Sequence, residues 1–424
     1  MFSVLQAPAR AARRRARSQV SARLTRRSWP AVQFTPRQAR PAERGLSVAV
    51  LGAGHGGLAL AGYLSQQGHR VALWNRSPTR TDPIAALGGV RLTMPGSIPT
   101  VAQLAVASSN IADALLDASV VLVAVPASGH ADVARVCAPY LRDGQTVLLL
   151  PGRTGGALEF RSVLRAAGCR ADILLGEANS FPFAARNVGP AEAVIFGAKA
   201  ELAAAALPAN RTAELVSACR PFLPMLAAAP SVLHTGLSNL GAIMHPTITL
   251  LNAERIERGD TFDFYSEGVT QRVADVLAAA DEERLRVADA FGVAVQSLPT
   301  WIAAAYGHHA ESIKEAVGGN PAYVGIKAPG TLLHRYLLED VPTGLIPLIE
   351  LGEAAGLALP TLRYLVNLAR TKLGGERWQN PRTLASLGLA GLGVDEIRDR
   401  VVFWLQQARS ASKGLTRTLA CAAG

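Results

Sequence analysis

Ser47-Val48-Ala49-Val50-Leu51-Gly52-Ala53-Gly54-His55-Gly56-Gly57 is the stretch that decides the fold. The first five residues are an apolar run of strand length. Leu58-Ala59-Leu60-Ala61-Gly62-Tyr63-Leu64, which follows, reads as the start of a helix. In a chain with 39 glycines a G-x-G-x-x-G string says little by itself. Between a strand and a helix it is the fingerprint of a dinucleotide-binding turn. Gly52 permits the tight turn, Gly54 lets backbone approach a pyrophosphate, and Gly57 lets helix and strand pack closely. His55 and Gly56 complete the loop. The helix N-terminus offers unpaired N–H groups and a favourable dipole to phosphate. The alternative is a glycine-rich turn with no ligand.

The next apolar run, Arg70-Val71-Ala72-Leu73-Trp74, ends at Asn75-Arg76. An acidic residue at this place accepts the ribose 2′-hydroxyl of NAD. No carboxylate stands here, and Arg76 could face a 2′-phosphate. The pair favours NADP(H) and leaves NAD(H) open; a solvated surface arginine is the plainer account of Arg76.

Working outward, strand-like and helix-like stretches alternate from residue 46 to about 200, the pattern of a doubly wound parallel sheet. Val90–Thr93 and Val101–Val106 follow the second strand, the latter fit for a hairpin. Val120–Val125, closed by Pro126, is the clearest later strand. Its carboxyl end, Val125-Pro126, should border the cofactor. Thr146–Leu150 runs into Pro151-Gly152-Arg153-Thr154-Gly155-Gly156, which repeats the strand-then-glycine pattern. From about residue 205 only helices are expected: Thr270–Phe291, Trp301–Val317, Gly344–Ala355, Leu362–Leu373 and Val394–Ala408 space their apolar residues near period 3.6. The expected architecture is α/β plus all-α. A basic extension (1–44) precedes a Rossmann-like domain (45–204) and an all-helical substrate domain (205–424), with the cleft between the two folded parts.

Eleven of the 43 basic residues and one of the 32 acidic residues fall in 1–44, so 45–424 holds 32 basic and 31 acidic groups. The folded part is nearly neutral and gives no basis for nucleic-acid binding. The lead reads as an organellar transit peptide, a basic tail, or the product of an upstream start codon. A cytoplasmic protein is expected, with organellar import as the alternative. No apolar run approaches a membrane span. Cys137, Cys169, Cys219 and Cys421 have no metal-ligand spacing, and no metal is expected.

Among eight histidines, His245 stands out in Asn239-Leu240-Gly241-Ala242-Ile243-Met244-His245-Pro246. Pro246 suits a first helical position, which would put His245 at a helix start. A catalytic histidine there would want a carboxylate partner. A buried structural histidine is the plainer account. Leu333-His334-Arg335-Tyr336-Leu337-Leu338-Glu339-Asp340-Val341-Pro342 mixes charge with apolar residues. Asp340 could orient an imidazole, and Arg335 could grip a carboxylate or simply pair with Glu339 one turn on.

Taken together these motifs resemble the octopine/nopaline (opine) dehydrogenase family. The likeness runs from about residue 46 to 400. It rests on the glycine fingerprint, Gly176–Arg186, Asn239–Pro246, Leu250–Ala253, Phe264–Gly268, Asn320–Tyr323 and His334–Pro342. It implies an enzyme that joins an amino acid to a 2-oxo acid and reduces the imine. It implies His245 as general acid/base, Asp340 as its partner and Arg335 as a carboxylate binder. Asn239 and Tyr265 are looser candidates for the cleft, and Arg186 for a second anchor. Small-molecule substrates are the expected partners, with no membrane, and a homodimer is left open. The alternatives are a two-domain dehydrogenase acting on a hydroxy acid or polyol phosphate, and a dinucleotide-binding protein without catalysis.

Overall fold

The computed structural model describes residues 45–375, 378 and 380–403. The extension 1–44, Cys421 and the part of the last expected helix beyond Phe403 lie outside the described residues.

In chain order the strands are β1 (Ser47–Leu51), β2 (Arg70–Trp74), β3 (Gly89–Thr93), β4 (Thr100–Gln103), β5 (Val106–Ser108) and β6 (Val120–Val123). Then come β7 (Thr146–Leu149), β8 (Leu174–Ala178), β9 (Phe183–Gly189), β10 (Glu192–Ala198), β11 (Leu202–Leu207) and β12 (Leu226–Ala228). Eight of them form one sheet in the order β12-β11-β8-β7-β6-β1-β2-β5. All neighbours in it are parallel except β8 and β11. Side chains alternate between its faces. Val48 and Val50 enter one core, while Ala49 and Leu51 enter the other. Both faces are covered, so β1 has no polar side. The core on the Ala49 face continues without a break into the helices that follow.

β1 is the switch point. The chain leaves it through helix His55–Gln66 to β2 on one side, while β6 lies on the other. The crevice outside the carboxyl ends of β1 and β6 is where such a sheet takes its ligand.

The sheet runs further than the sequence pattern implies. The boundary expected at 204/205 cuts β11, and β12 pairs with it beyond. Leu202-Ala203-Ala204-Ala205-Ala206-Leu207 has the composition of a helix. Its alternate residues nevertheless enter opposite cores, and small side chains there let helices approach the sheet closely. β10 belongs instead to a second sheet, β4-β3-β10-β9, in which β3 and β4 form the expected hairpin, but the run expected over Val101–Val106 breaks after Gln103 and Val106 opens β5 of the large sheet.

Two helical expectations also shift. Trp301–Val317 is not one helix: Leu298–Tyr306 stops at Gly307, whose φ of 66° closes the last turn. A separate wide turn covers Lys314–Gly318. His245 is not at a helix start. The helix spans Gly241–Leu251 and contains Pro246. Proline there removes one backbone bond early in the helix, and burial of Ala242, Ile243, Met244, Ile248 and Leu250 outweighs that loss.

Candidate active site

The glycine turn has the shape its sequence implies. Gly52 has φ 118°, and a Cβ there would lie 2.7 Å from the Ala124 carbonyl oxygen. A Cβ on Gly57 would lie 1.8 Å from the Gly52 carbonyl oxygen. A Cβ on Gly54 would meet nothing within 4 Å. Gly54 therefore faces open space at the head of helix His55–Gln66, whose first turn has no side-chain cap and no acid. This open cradle of backbone N–H groups fits a pyrophosphate. Val125 flanks Gly52 from the end of β6, followed by exposed Pro126.

The backbone N–H of Ala53 donates to Asn75 Oδ1 at 3.2 Å, so the end of β2 braces the glycine loop. Arg76 is exposed. His55 accepts the Asn187 backbone N–H on Nδ1 at 2.9 Å, which ties the loop to β9. Partial burial, then Arg186, Arg80 and Arg335, hold His55 below the usual histidine range. The mouth of the cleft is thus electropositive. Arg80, on the helix after β2, is a basic group near the loop that the sequence pattern did not single out.

From the helical side, His245 Nδ1 lies 2.8 Å from Asp340 Oδ2, across 95 positions of chain. Asp340 is buried and His245 is 20% exposed at its side chain. Burial drives the Asp340 carboxyl upward, but Arg153, His245 and Arg335 more than offset it and hold it below the usual carboxylate range. The ionised carboxylate accepts from Nδ1–H, leaving Nε2 as the ring nitrogen that Asp340 does not hold.

Arg153, with φ 61° in the turn after β7, is the member that sequence reading missed. Its guanidinium sits 3.6 Å from Asp340 Oδ1 and 3.6 Å from Glu339 Oε1. The available signal was its position after a parallel strand, where ligands gather. Arg335 is half-exposed and pairs with Glu339 Oε2 at 2.8 Å. Glu339 Oε1 accepts the Ala127 backbone N–H at 3.3 Å. That contact sets the Arg335–Asp340 turn against the end of β6, beside Val125-Pro126, and so brings the dyad to the dinucleotide crevice.

Asn239 and Tyr265 stand behind this surface. The Asn239 amide is spent on Arg153 Nη1 at 3.4 Å and Thr154 Oγ1 at 3.3 Å. Tyr265 is 6% exposed and stacks on Tyr323. Both support the wall of the cleft. Arg186 is exposed on β9, and its charge reaches Tyr336 as well as His55. Among the described residues there is no cluster of metal-ligating side chains and no helix long and apolar enough to cross a membrane.

The family model of the NAD/NADP octopine/nopaline dehydrogenase alpha-helical domain matches residues 228–373. The N-terminus of NAD-dependent glycerol-3-phosphate dehydrogenase matches 47–152. The opine dehydrogenase of Arthrobacter sp. (strain 1C) is 40% identical over 353 residues, covering 83% of this chain and 98% of the relative. The chain belongs to the octopine/nopaline (opine) dehydrogenase family. It is an NAD(P)-dependent oxidoreductase of the CH–NH bond, coupling an amino acid to a 2-oxo acid by reductive condensation. The fold is also that of a solved octopine dehydrogenase with NADH and L-arginine, at TM-score 0.72 and 23% identity, covering 83% of this chain and 97% of that one. A yersinopine dehydrogenase with NADP+ bound is similar at TM-score 0.63 and 21% identity, covering 87% and 99%.

Proposed function

We propose that His245 is the general acid/base of the condensation, oriented by Asp340, and that Arg335 anchors the carboxylate of the 2-oxo acid. The observation that carries this reading is the 2.8 Å contact between His245 Nδ1 and a buried Asp340 at the carboxyl ends of the parallel strands. The family likeness of the motifs supports it.

In the reductive direction, the amine adds to the carbonyl carbon of the 2-oxo acid. Protonated His245 gives its Nε2 proton to the carbinolamine hydroxyl, which leaves as water, and the N-protonated imine forms, ready to become the secondary amine on taking a hydride. A reduced nicotinamide held by the glycine turn would supply the hydride for the carbon of that protonated imine. Asp340 accepts from Nδ1–H throughout and so holds the tautomer that presents Nε2 to the substrate. Arg153 prevents Asp340 from picking up a proton of its own. Arg335 uses one edge of its guanidinium on Glu339 and keeps donors for a substrate carboxylate. Arg186, exposed on β9, is the second anchor. For the cofactor, the missing acid after β2 and the charge of Arg80 beside the loop favour NADP(H).

His245→Asn tests the assignment. Turnover should fall by roughly 10²–10⁴, the usual worth of a positioned acid/base. Dinucleotide affinity, read by nicotinamide fluorescence, should stay within a factor of about two of the wild type. Turnover at the wild-type rate would remove His245 from the role.

A further inference from the structure

One turn of helix, Arg335–Leu338, carries a ring that lies on the imidazole. Tyr336 stacks on His245 with centroids 4.3 Å apart and planes 22° from parallel. Tyr336 is itself held from several sides. Phe264 stacks on it at 4.9 Å, and His334 meets it edge-on at 4.4 Å. Its hydroxyl hydrogen-bonds the Tyr265 hydroxyl. Phe264 is fully buried and Tyr265 nearly so, so a packed train of rings ends at the catalytic imidazole.

Two consequences follow from elementary chemistry. A single bond from Nδ1 to Asp340 leaves the imidazole free to swing about that bond, and a fixed ring against its face removes the freedom. The face of an aromatic ring is also electronegative, so it attracts an imidazolium more than a neutral imidazole. We propose that Tyr336 is a positioning residue for His245, fixing the imidazole plane and favouring its protonated form. This rests on the reading of His245 as the acid/base.

Other charged groups face His245 from each packed element. Asp340 faces it from the turn that leads into Val341, and His334 from beyond Tyr336. Arg153 faces it from the β7 turn, where its Nη1 and the His245 Cε1 both border Gly241. Substituting Tyr336 alone leaves all three in place.

The test is the pH profile of reductive kcat/KM, whose alkaline limb reports loss of the His245 proton. Tyr336→Leu, with Tyr336→Met alongside as a second non-aromatic variant of different shape, should move that limb to lower pH by roughly half a unit to one unit. Tyr336→Phe keeps the ring face and should leave the limb in place. Dinucleotide binding shows that each variant is folded, and NMR titration of the His245 imidazole, assigned by its loss in His245→Asn, reads the same shift without turnover. If both non-aromatic variants lose rate while the limb and the titration stay put, Tyr336 only fills space and the proposal fails alone. If His245→Asn keeps the wild-type limb, the reading of His245 fails, and this proposal goes with it.

Discussion

At the scale of single residues, the glycine turn separates two jobs that look alike in sequence. Gly57 is required by its neighbours, since any Cβ would strike the Gly52 carbonyl. Gly54 is required only by what the loop binds, since a Cβ there has room. Gly54→Ala should therefore keep the wild-type melting temperature and weaken dinucleotide binding by roughly tenfold or more. A parallel loss of stability and affinity would place Gly54 among the structural glycines instead. Which residues were legible follows the same division. Gly52, His245, Asp340 and Arg335 sit in local motifs and can be picked out along the chain. Arg153 and Tyr336 lie in segments that stand out as well, but the first gains its place only when the turn after β7 meets Asp340, and the second only when His245 and Phe264 pack on its ring. Asn239 sits in a marked motif, but burial commits its amide to Arg153 and Thr154.

At the scale of elements, β1, β2, β6 and β7 were readable because strands buried on both faces are unbroken apolar runs. β11 was not, because an alanine-rich run takes its conformation from its surroundings, and β12 is only three residues long. The turn after β7, which carries Arg153, is held from behind by Arg382. That guanidinium is wholly buried and bonds Glu159 at 2.8 Å, the carbonyls of Gly152 and Thr154 at 2.9 and 3.0 Å, and His130 Nδ1 at 2.9 Å. Removing it strands Glu159 as a buried charge. Arg382→Met should cost about 3–5 kcal/mol in denaturant unfolding, and a cost under about 1 kcal/mol would show that the tie is dispensable. Glu177, at the end of β8, caps helix Gly156–Ala166 through Ala157 N–H at 2.7 Å and takes the Thr235 hydroxyl at 2.6 Å. Burial raises its carboxyl to about 7, against the pull of Thr235, Ala157 and Arg382. A carboxyl raised on folding holds its proton better in the native state. Its contribution is therefore complete below about 4.5 and is lost as pH rises through about 7. The loss is on the order of 3 kcal/mol. Glu177→Gln should gain on the wild type in melting temperature between pH 5 and pH 7.5, values chosen as roughly the edges of that window. Asp340 is displaced the other way and loses its contribution only in more acidic solution. A difference that stays flat across the window would show that Glu177 is ionised throughout.

At the scale of the whole molecule, two parts share one continuous core, and the proposed reaction centre lies where they meet. The sheet presents the glycine cradle and Arg153. The helices present His245, Asp340 and Arg335. Glu339 bridges them through Ala127, Arg153 and Arg335. Two substrates must meet in that cleft before a hydride has anywhere to go, and holding both together is the larger part of the rate gain. The most direct measurement is nicotinamide oxidation with a 2-oxo acid alone, an amino acid alone, and both together, run with NADPH and with NADH. Oxidation should require both substrates and yield the secondary amine that joins them. Equal oxidation with the 2-oxo acid alone, giving a hydroxy acid, would contradict the account.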